Sequence, residues 1–299
     1  MNQIILRLVV LATLGYSNSA AALNLFACEP EWASLSKELG GNLNTIDVAL
    51  NVNQDPHRLQ AKPSLIAAIR NTDLLICSGA DLEVGWLPLL LKRSNNARIQ
   101  PGQDGYFEAS SFVRRLEVPT RIDRSQGDVH PQGNPHVHLD PRNIRIIAKA
   151  LTQRLISLDP ANTAEYERLG TDFQDRWQVA MATWRDQAKS LHGTRVITHH
   201  TSFAYLENFL GLERLATLEA KPGIPPSSSH LASLLKLVAA QPPRYLLRAP
   251  YEDPKPAAWL SARTDLPIHV LPYSVGGGSV AENLFDLFDI SLSRLAEQQ

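Results

Sequence analysis

Short apolar runs alternate with helical stretches along nearly the whole chain, and few folds accommodate that order. Residues 23–27 (LNLFA), 44–50 (NTIDVAL) and 73–79 (DLLICSG) read as strands. Between them lie a helix over 29–40, with Trp32, Leu35 and Leu39 on one face, and another over 63–71 that opens on Pro63. Residues 82–94 also read as helical, with Pro88 expected to kink or interrupt them. The second half repeats the pattern. Strands are expected at 194–198, 212–219, 244–249 and 267–273, and helices at 202–211, 230–241, 254–264 and 280–299. Such βαβα order specifies a mostly parallel sheet flanked by helices, and two separate stretches of it specify two α/β lobes.

The middle of the chain breaks the rhythm. Residues 95–138 are rich in Pro, Gly and Asp, with a hairpin-like segment at 112–122 (FVRRLEVPTRI). Asp140-Pro141 then opens a helix to about 158, the Asp as cap and the Pro in the first turn. Asp159-Pro160 repeats that signal, and the helix it opens runs to 191, longer than a usual globular helix. The expected organisation is an export signal over 1–22, a first lobe over 23–158, a rigid linker helix over 159–191 and a second lobe over 192–299.

Residues 1–22 carry one charge, Arg7, then an apolar run over 8–14 and small residues Ala20-Ala21-Ala22. That is the layout of a secretory signal peptide, and the run is too short to span a bilayer. The nearest cysteine is Cys28, so a lipid anchor at the cleavage site is not expected. Charges nearly cancel, with 29 Lys+Arg against 30 Asp+Glu, which argues against nucleic acid as partner. The two cysteines, Cys28 and Cys77, lie in runs that read as neighbouring strands. A disulfide and a pair of buried thiols both fit.

Histidines in turn-rich loops carry the functional signal. His57 (QDPHRL), His136 (NPHVHLDP) and His200 (VITHHTSF) are far apart in sequence, and His57 and His200 follow predicted strands. Ligands gather outside the carboxyl ends of such strands. Taken singly, each is an ordinary surface histidine; together in an exported protein they point to a metal ion, since imidazole is a common neutral ligand. His138, two residues from His136, would point the same way on an extended chain. His199 and His200 face opposite ways at a strand end, so one ligates while the other packs. His130 sits in a loop and either handles metal transiently or is simply solvated. His192, His230 and His269 read as structural. Glu252 and Asp253 follow strand 244–249 and serve either as a fourth ligand or as a helix cap.

These segments resemble those of the periplasmic zinc-binding proteins of ABC importers, within the zinc and manganese solute-binding family. QDPHRLQAKPS is similar to that family's DPH…PS segment. NPHVHLDP is similar to its PHxWLDP segment, with His138 where tryptophan is usual. THHTSFAYLENFLGL is similar to its H-D-A-F-x-Y-L segment, which makes His200 rather than His199 the ligand. KPGIPPSSSHLASLL and the C-terminal LPYSVGG…NLFDLFD also match. The resemblance spans the mature chain and implies two lobes joined by a rigid helix, with metal in the cleft between them. One position departs: the family's carboxylate near the last strand is replaced by Leu271-Pro272-Tyr273. The fourth ligand is then water, Glu252, Asp253 or a loop histidine such as His130, with His138 as a further auxiliary.

The resemblance implies a carrier that captures Zn²⁺ outside the cytoplasm and delivers it to an ABC permease in the inner membrane. Three imidazoles suit Zn²⁺ better than Mn²⁺, which prefers oxygen. A periplasmic zinc chaperone is a candidate loading partner, and a monomer is expected. The alternative is a secreted zinc hydrolase using the same three histidines, with Glu252 or Asp253 as acid or base. No GxSxG or HExxH motif supports it.

Overall fold

A computed structural model describes residues 22–120, 127, 129–276 and 281–296. The export-signal reading of 1–22 therefore lies outside the described residues, Ala22 excepted.

The first lobe is built on β1 (Leu23–Ala27), β2 (Asn44–Val48), β3 (Leu74–Cys77) and β4 (Tyr106–Glu108), and the second on β5 (Arg195–Thr198), β6 (Glu213–Thr217), β7 (Tyr245–Arg248) and β8 (Ile268–Val270). Each set forms a four-stranded sheet, ordered β2-β1-β3-β4 and β6-β5-β7-β8. Every pairing is parallel. The two lobes thus share one topology, and in each the strand order reverses beside the first strand. A reversal of this kind opens a crevice at the carboxyl edge of the sheet.

Helices α1 (Pro30–Gly40), α2 (Pro63–Ile69) and α3 (Leu87–Ser94) flank the first sheet, and α6 (Ala204–Leu210), α7 (Ser228–Ala240) and α8 (Pro254–Thr264) the second. Between the lobes run α4 (Pro141–Leu158) and α5 (Thr163–Ala188), and the chain closes with α9 (Leu284–Ala296). Asp140 caps α4 by accepting from the Arg142 N–H at 2.8 Å, as its sequence context predicts.

Two expectations need correction. Pro88 does not kink a helix over 82–94. The helix begins at Leu87 with Pro88 in its first turn, where a missing N–H costs no hydrogen bond. The residues before it turn sharply, with Ala80 and Asp81 at φ of 52° and 65°. The hairpin near 112–122 is also absent among the described residues. Instead β4 joins the sheet beside β3, pairing Ile76 with Phe107. Phe107 is buried, and its ring stacks on Phe112 at 4.7 Å. Only 3 residues make the strand, too few for an alternation to register.

Helix α5 is 26 residues long and rigidly seated. Its buried face carries Phe173, Trp177, Met181 and Trp184, and Trp177 packs edge-on against Trp184 and Phe285. The Trp177 indole donates to the Pro141 carbonyl at 2.8 Å and that of Trp184 to Asp289 at 2.6 Å. One apolar core runs from β1 and α1 through α4 and α5 into β5, β7 and α9. Smaller cores lie under the outer layer of each sheet, around Phe26, Leu75 and Trp86 and around Ile197, Leu246 and Leu260. Cys28 and Cys77, at the ends of β1 and β3, form a disulfide, which decides between the two states open from sequence.

Candidate metal centre

Loops at the carboxyl edges of the sheets carry the histidines to one point. After β2, a 3-10 turn over Pro56–Arg58 presents His57. Asp55 starts that turn by accepting from the His57 N–H at 3.0 Å. The Trp86 indole pins it by donating to the Pro56 carbonyl at 3.0 Å. His136 precedes a 3-10 turn over Val137–Leu139, and its N–H donates to Asn134 Oδ1 at 3.0 Å. Asn134 is held from the second lobe: its amide donates to the Thr201 carbonyl at 2.9 Å, and Tyr205 Oη donates to its own carbonyl at 2.8 Å. His200 lies two residues past the end of β5, immediately before a 3-10 turn over Thr201–Phe203. Across the cleft, Arg58 donates to the Gly223 carbonyl at 2.7 Å.

The side chains of His57, His136 and His200 converge, each offering a nitrogen within 4.8 Å of the others. Ring centroids lie 5.6 Å (57–136), 5.9 Å (57–200) and 6.0 Å (136–200) apart. Each ring is oriented from behind. His57 Nδ1 is 2.8 Å from Asp55 Oδ1, His200 Nδ1 is 2.9 Å from Glu219 Oε2, and His136 Nδ1 is 2.7 Å from Tyr273 Oη. Such partners fix ring orientation and leave Nε2 for a metal. Nε2 of His136 and of His200 are buried with no hydrogen-bond partner among the described residues. Buried polar nitrogens left this way are costly unless something coordinates them. His130 closes the group, with Nε2 3.1 Å from His57 Nε2 and its ring centroid 6.5 Å from that of His136.

Electrostatics favour neutral, metal-ready imidazoles at two positions. Burial, reinforced by the neighbouring histidines, pushes the His136 pKa well below its usual value and that of His130 down to about 3. At His200 burial works against the charged form, but the Glu219 carboxylate outweighs it and the pKa is raised. Burial disfavours the Glu219 anion, yet hydrogen bonds from His199 and His200 hold its pKa at about 2. Burial likewise opposes the Asp55 anion, and the bond to His57 outweighs it, leaving a lowered pKa. Burial raises the Tyr273 pKa well above the phenol range, so the hydroxyl keeps its proton.

The other sequence candidates fall elsewhere. His138 does not point with His136, because the chain there is a 3-10 turn and not an extended strand. Its ring is fully buried, with Nε2 2.8 Å from the Tyr273 carbonyl and Nδ1 3.1 Å from Glu31 Oε1. Asp253 caps α8 by accepting from the Lys255 N–H. Glu252 turns its carboxylate to the Ala249 N–H at 2.6 Å and to Ser202 Oγ at 3.3 Å. It lines, with His57, His200 and Glu219, a cavity of about 180 Å³ at the cleft mouth. His199 is buried 3.7 Å from Glu219 Oε1. His230 bonds the Thr217 carbonyl, and His269 packs on Tyr245.

The model of the family described as zinc-uptake complex component A, periplasmic, matches residues 26–298. The chain belongs to that family. Membership makes it the substrate-binding component of an ABC importer for a metal ion. The manganese ABC transporter substrate-binding lipoprotein PsaA of Streptococcus anginosus is 21% identical over 94% of this chain and 90% of its own length. The high-affinity zinc uptake system protein ZnuA of Bacillus subtilis (strain 168) is 25% identical over 67% of this chain and 62% of its own. Among solved structures, a crystal structure of ZnuA matches with a TM-score of 0.77 at 19% identity, covering 92% of this chain and 98% of that one. A cadmium-bound periplasmic metal-binding protein from Candidatus Liberibacter asiaticus matches at 0.75 and 18%. These structural likenesses establish the fold, two parallel-stranded lobes around a long helix.

Three members of the site were not singled out from sequence: Asp55, Glu219 and Tyr273. Asp55 lies beside its histidine in the DPH segment and was within reach of that reading. Glu219 is 19 residues from His200 and Tyr273 137 residues from His136, so only the folded sheets pair them.

Proposed function

We propose that this chain captures Zn²⁺ in the periplasm at His57, His136 and His200, with His130 as the fourth ligand, and delivers it to a permease in the inner membrane. The observation that carries the reading is the convergence of three imidazoles, each oriented through Nδ1, with His130 Nε2 3.1 Å from His57 Nε2 beside them. An all-nitrogen set of this kind favours Zn²⁺ over Mn²⁺, which prefers oxygen donors. The zinc-uptake description of the family and the zinc and manganese names of the relatives agree with a divalent cargo. Residues 1–22 act as the export signal, 23–158 and 192–299 as the two lobes and 159–191 as the linker. The protein works as a monomer and takes zinc either free or from a periplasmic chaperone.

The hydrolase alternative needs an open coordination position beside an acid or base. His130 Nε2 approaches that position, and the Glu252 carboxylate is engaged by Ala249 and Ser202. Both support a carrier that turns nothing over. Metal analysis and zinc titration of the purified protein, alone and with excess Mn²⁺, test the proposal. One tightly held zinc that manganese fails to displace is expected. If His57→Ala, His136→Ala and His200→Ala all bind zinc like the wild type, or if zinc-loaded protein hydrolyses ester, phosphate or lactam substrates, the reading fails.

A further inference from the structure

His57 and His200 lean on carboxylates, which only accept hydrogen bonds when ionised. A neutral ring in that contact keeps its proton on Nδ1 and turns an Nε2 lone pair inward. His136 leans instead on a phenol, the Tyr273 hydroxyl 2.7 Å from its Nδ1. A phenol both donates and accepts. With Oη–H donating to Nδ1, the ring proton sits on Nε2 and blocks coordination. With Nδ1–H donating to Oη, the Nε2 lone pair is free. Nε2 itself has no hydrogen-bond partner among the described residues, so the choice between the two forms falls to Tyr273.

Tyr273 is in turn held firmly. Its carbonyl accepts from His138 Nε2 at 2.8 Å. His138 Nδ1 lies 3.1 Å from Glu31 Oε1 on α1, and the other oxygen of Glu31 accepts from Ser274 Oγ. His136 and His138 stand edge-on to the Tyr273 ring at 5.5 and 5.1 Å. Glu31, His136, His138, Tyr273 and Ser274 are all buried. The segment after β8 in the second lobe is thus fastened to the first lobe at a backbone carbonyl and at the next side chain.

Building on the three-histidine reading, we propose that Tyr273 is a positioning residue that sets the ring orientation and tautomer of His136, and that His138 acts on the metal centre through Tyr273. Zinc held at His136 Nε2 would require the tautomer with the proton on Nδ1 and the Tyr273 hydroxyl as acceptor: water takes the Nε2 proton and returns one to Nδ1, with no net release.

The test uses the full mature protein, zinc alone as probe, and ¹⁵N-labelled histidine. In Tyr273→Phe, which preserves shape and the carbonyl that His138 bonds, zinc affinity is expected to fall about 10- to 100-fold. In the wild type, the ¹⁵N shifts of His136 should report a proton on Nδ1 once zinc is bound, and a measurable share on Nε2 without metal. His138→Phe should also weaken zinc, and the double variant should be no weaker than Tyr273→Phe alone, because the two residues act in series. His138→Gln, which keeps an N–H donor to the Tyr273 carbonyl, should restore binding and guards against simple misfolding. Wild-type affinity in Tyr273→Phe, full additivity in the double variant, or a His136 proton already fixed on Nδ1 without metal would overturn the proposal. His136 shifts that ignore zinc altogether would instead overturn the ligand assignment beneath it.

Discussion

Glu219→Gln is the perturbation whose consequences follow most directly from the geometry. One Glu219 oxygen accepts from His200 Nδ1 at 2.9 Å and from the Gly223 N–H at 2.8 Å. Glutamine keeps the shape but presents an NH₂ that can face Nδ1. It would then hold the His200 proton on Nε2, the atom that faces the metal. Losing an outer carboxylate of this kind costs roughly 10- to 100-fold in metal affinity, or about 1.4–2.7 kcal/mol. The pH dependence carries a second signature. Glu219 raises the His200 pKa against the effect of burial, so in the wild type protons compete at His200 from a higher pH. Without the carboxylate, burial dominates and the His200 pKa drops, so competition at that ring starts at a lower pH. The affinity gap between wild type and variant should therefore be widest near pH 7.5 and narrow toward pH 6. Competition against a chromophoric chelator at several pH values measures both quantities. An affinity within twofold of wild type at pH 7.5, or a gap that widens on acidification, would refute the reasoning.

Three further outcomes are expected. His130→Ala should lower zinc affinity at least about tenfold, since a nitrogen donor is replaced by water; chelator competition checks it, and an unchanged affinity would return His130 to the role of a passive loop residue. The part of metal-free stability set by His136 and His130 should be fully present above about pH 6.5 and fall below it, because unfolded histidines bind protons there while these two resist them when folded. Each contributes up to about 1.4 kcal/mol per pH unit. His200, with its raised pKa, has its contribution fully present below about 6.5 and loses it as pH rises through the folded value, so it adds no slope below about 6.5; urea midpoints from pH 7.5 to 5 read the sum. Small-angle scattering should show only a small change in radius of gyration on zinc binding, because the core is continuous through α5 and no loop in that helix absorbs a large rotation. A large contraction would mean a true hinge.

The alternation of apolar runs and helices carried most of the fold, because buried parallel strands and amphipathic helices leave their period in the sequence. Helix α8 matches the expected 254–264 residue for residue, with Asp253-Pro254 as its start signal. Legibility failed where period was lacking. Strand β4 is too short to show one, and Pro88 was compatible with both a kink and a first turn until the packing of Trp86 and Leu87 fixed the helix start. At the site, the turn-rich settings of His57, His136 and His200 marked candidates, but not which atoms meet. His138 shows why: its neighbourhood is decided by Glu31 and the Tyr273 carbonyl, 107 and 135 residues away, which a local pattern does not contain. Tyr273 stood in the sequence only as a missing acid; its role against His136 Nδ1 exists once β8 lies beside the PHVH loop.

X-ray absorption at the zinc edge of the loaded protein tests the central claim most directly, because it counts and identifies the atoms around the ion. The account predicts four nitrogen donors near 2.0–2.1 Å, the distance usual for imidazole on zinc, with outer-shell scattering from four imidazole rings that falls to three in His130→Ala. A coordination shell dominated by oxygen, one with sulfur near 2.3 Å, or one with fewer than four imidazoles in the wild type would contradict it.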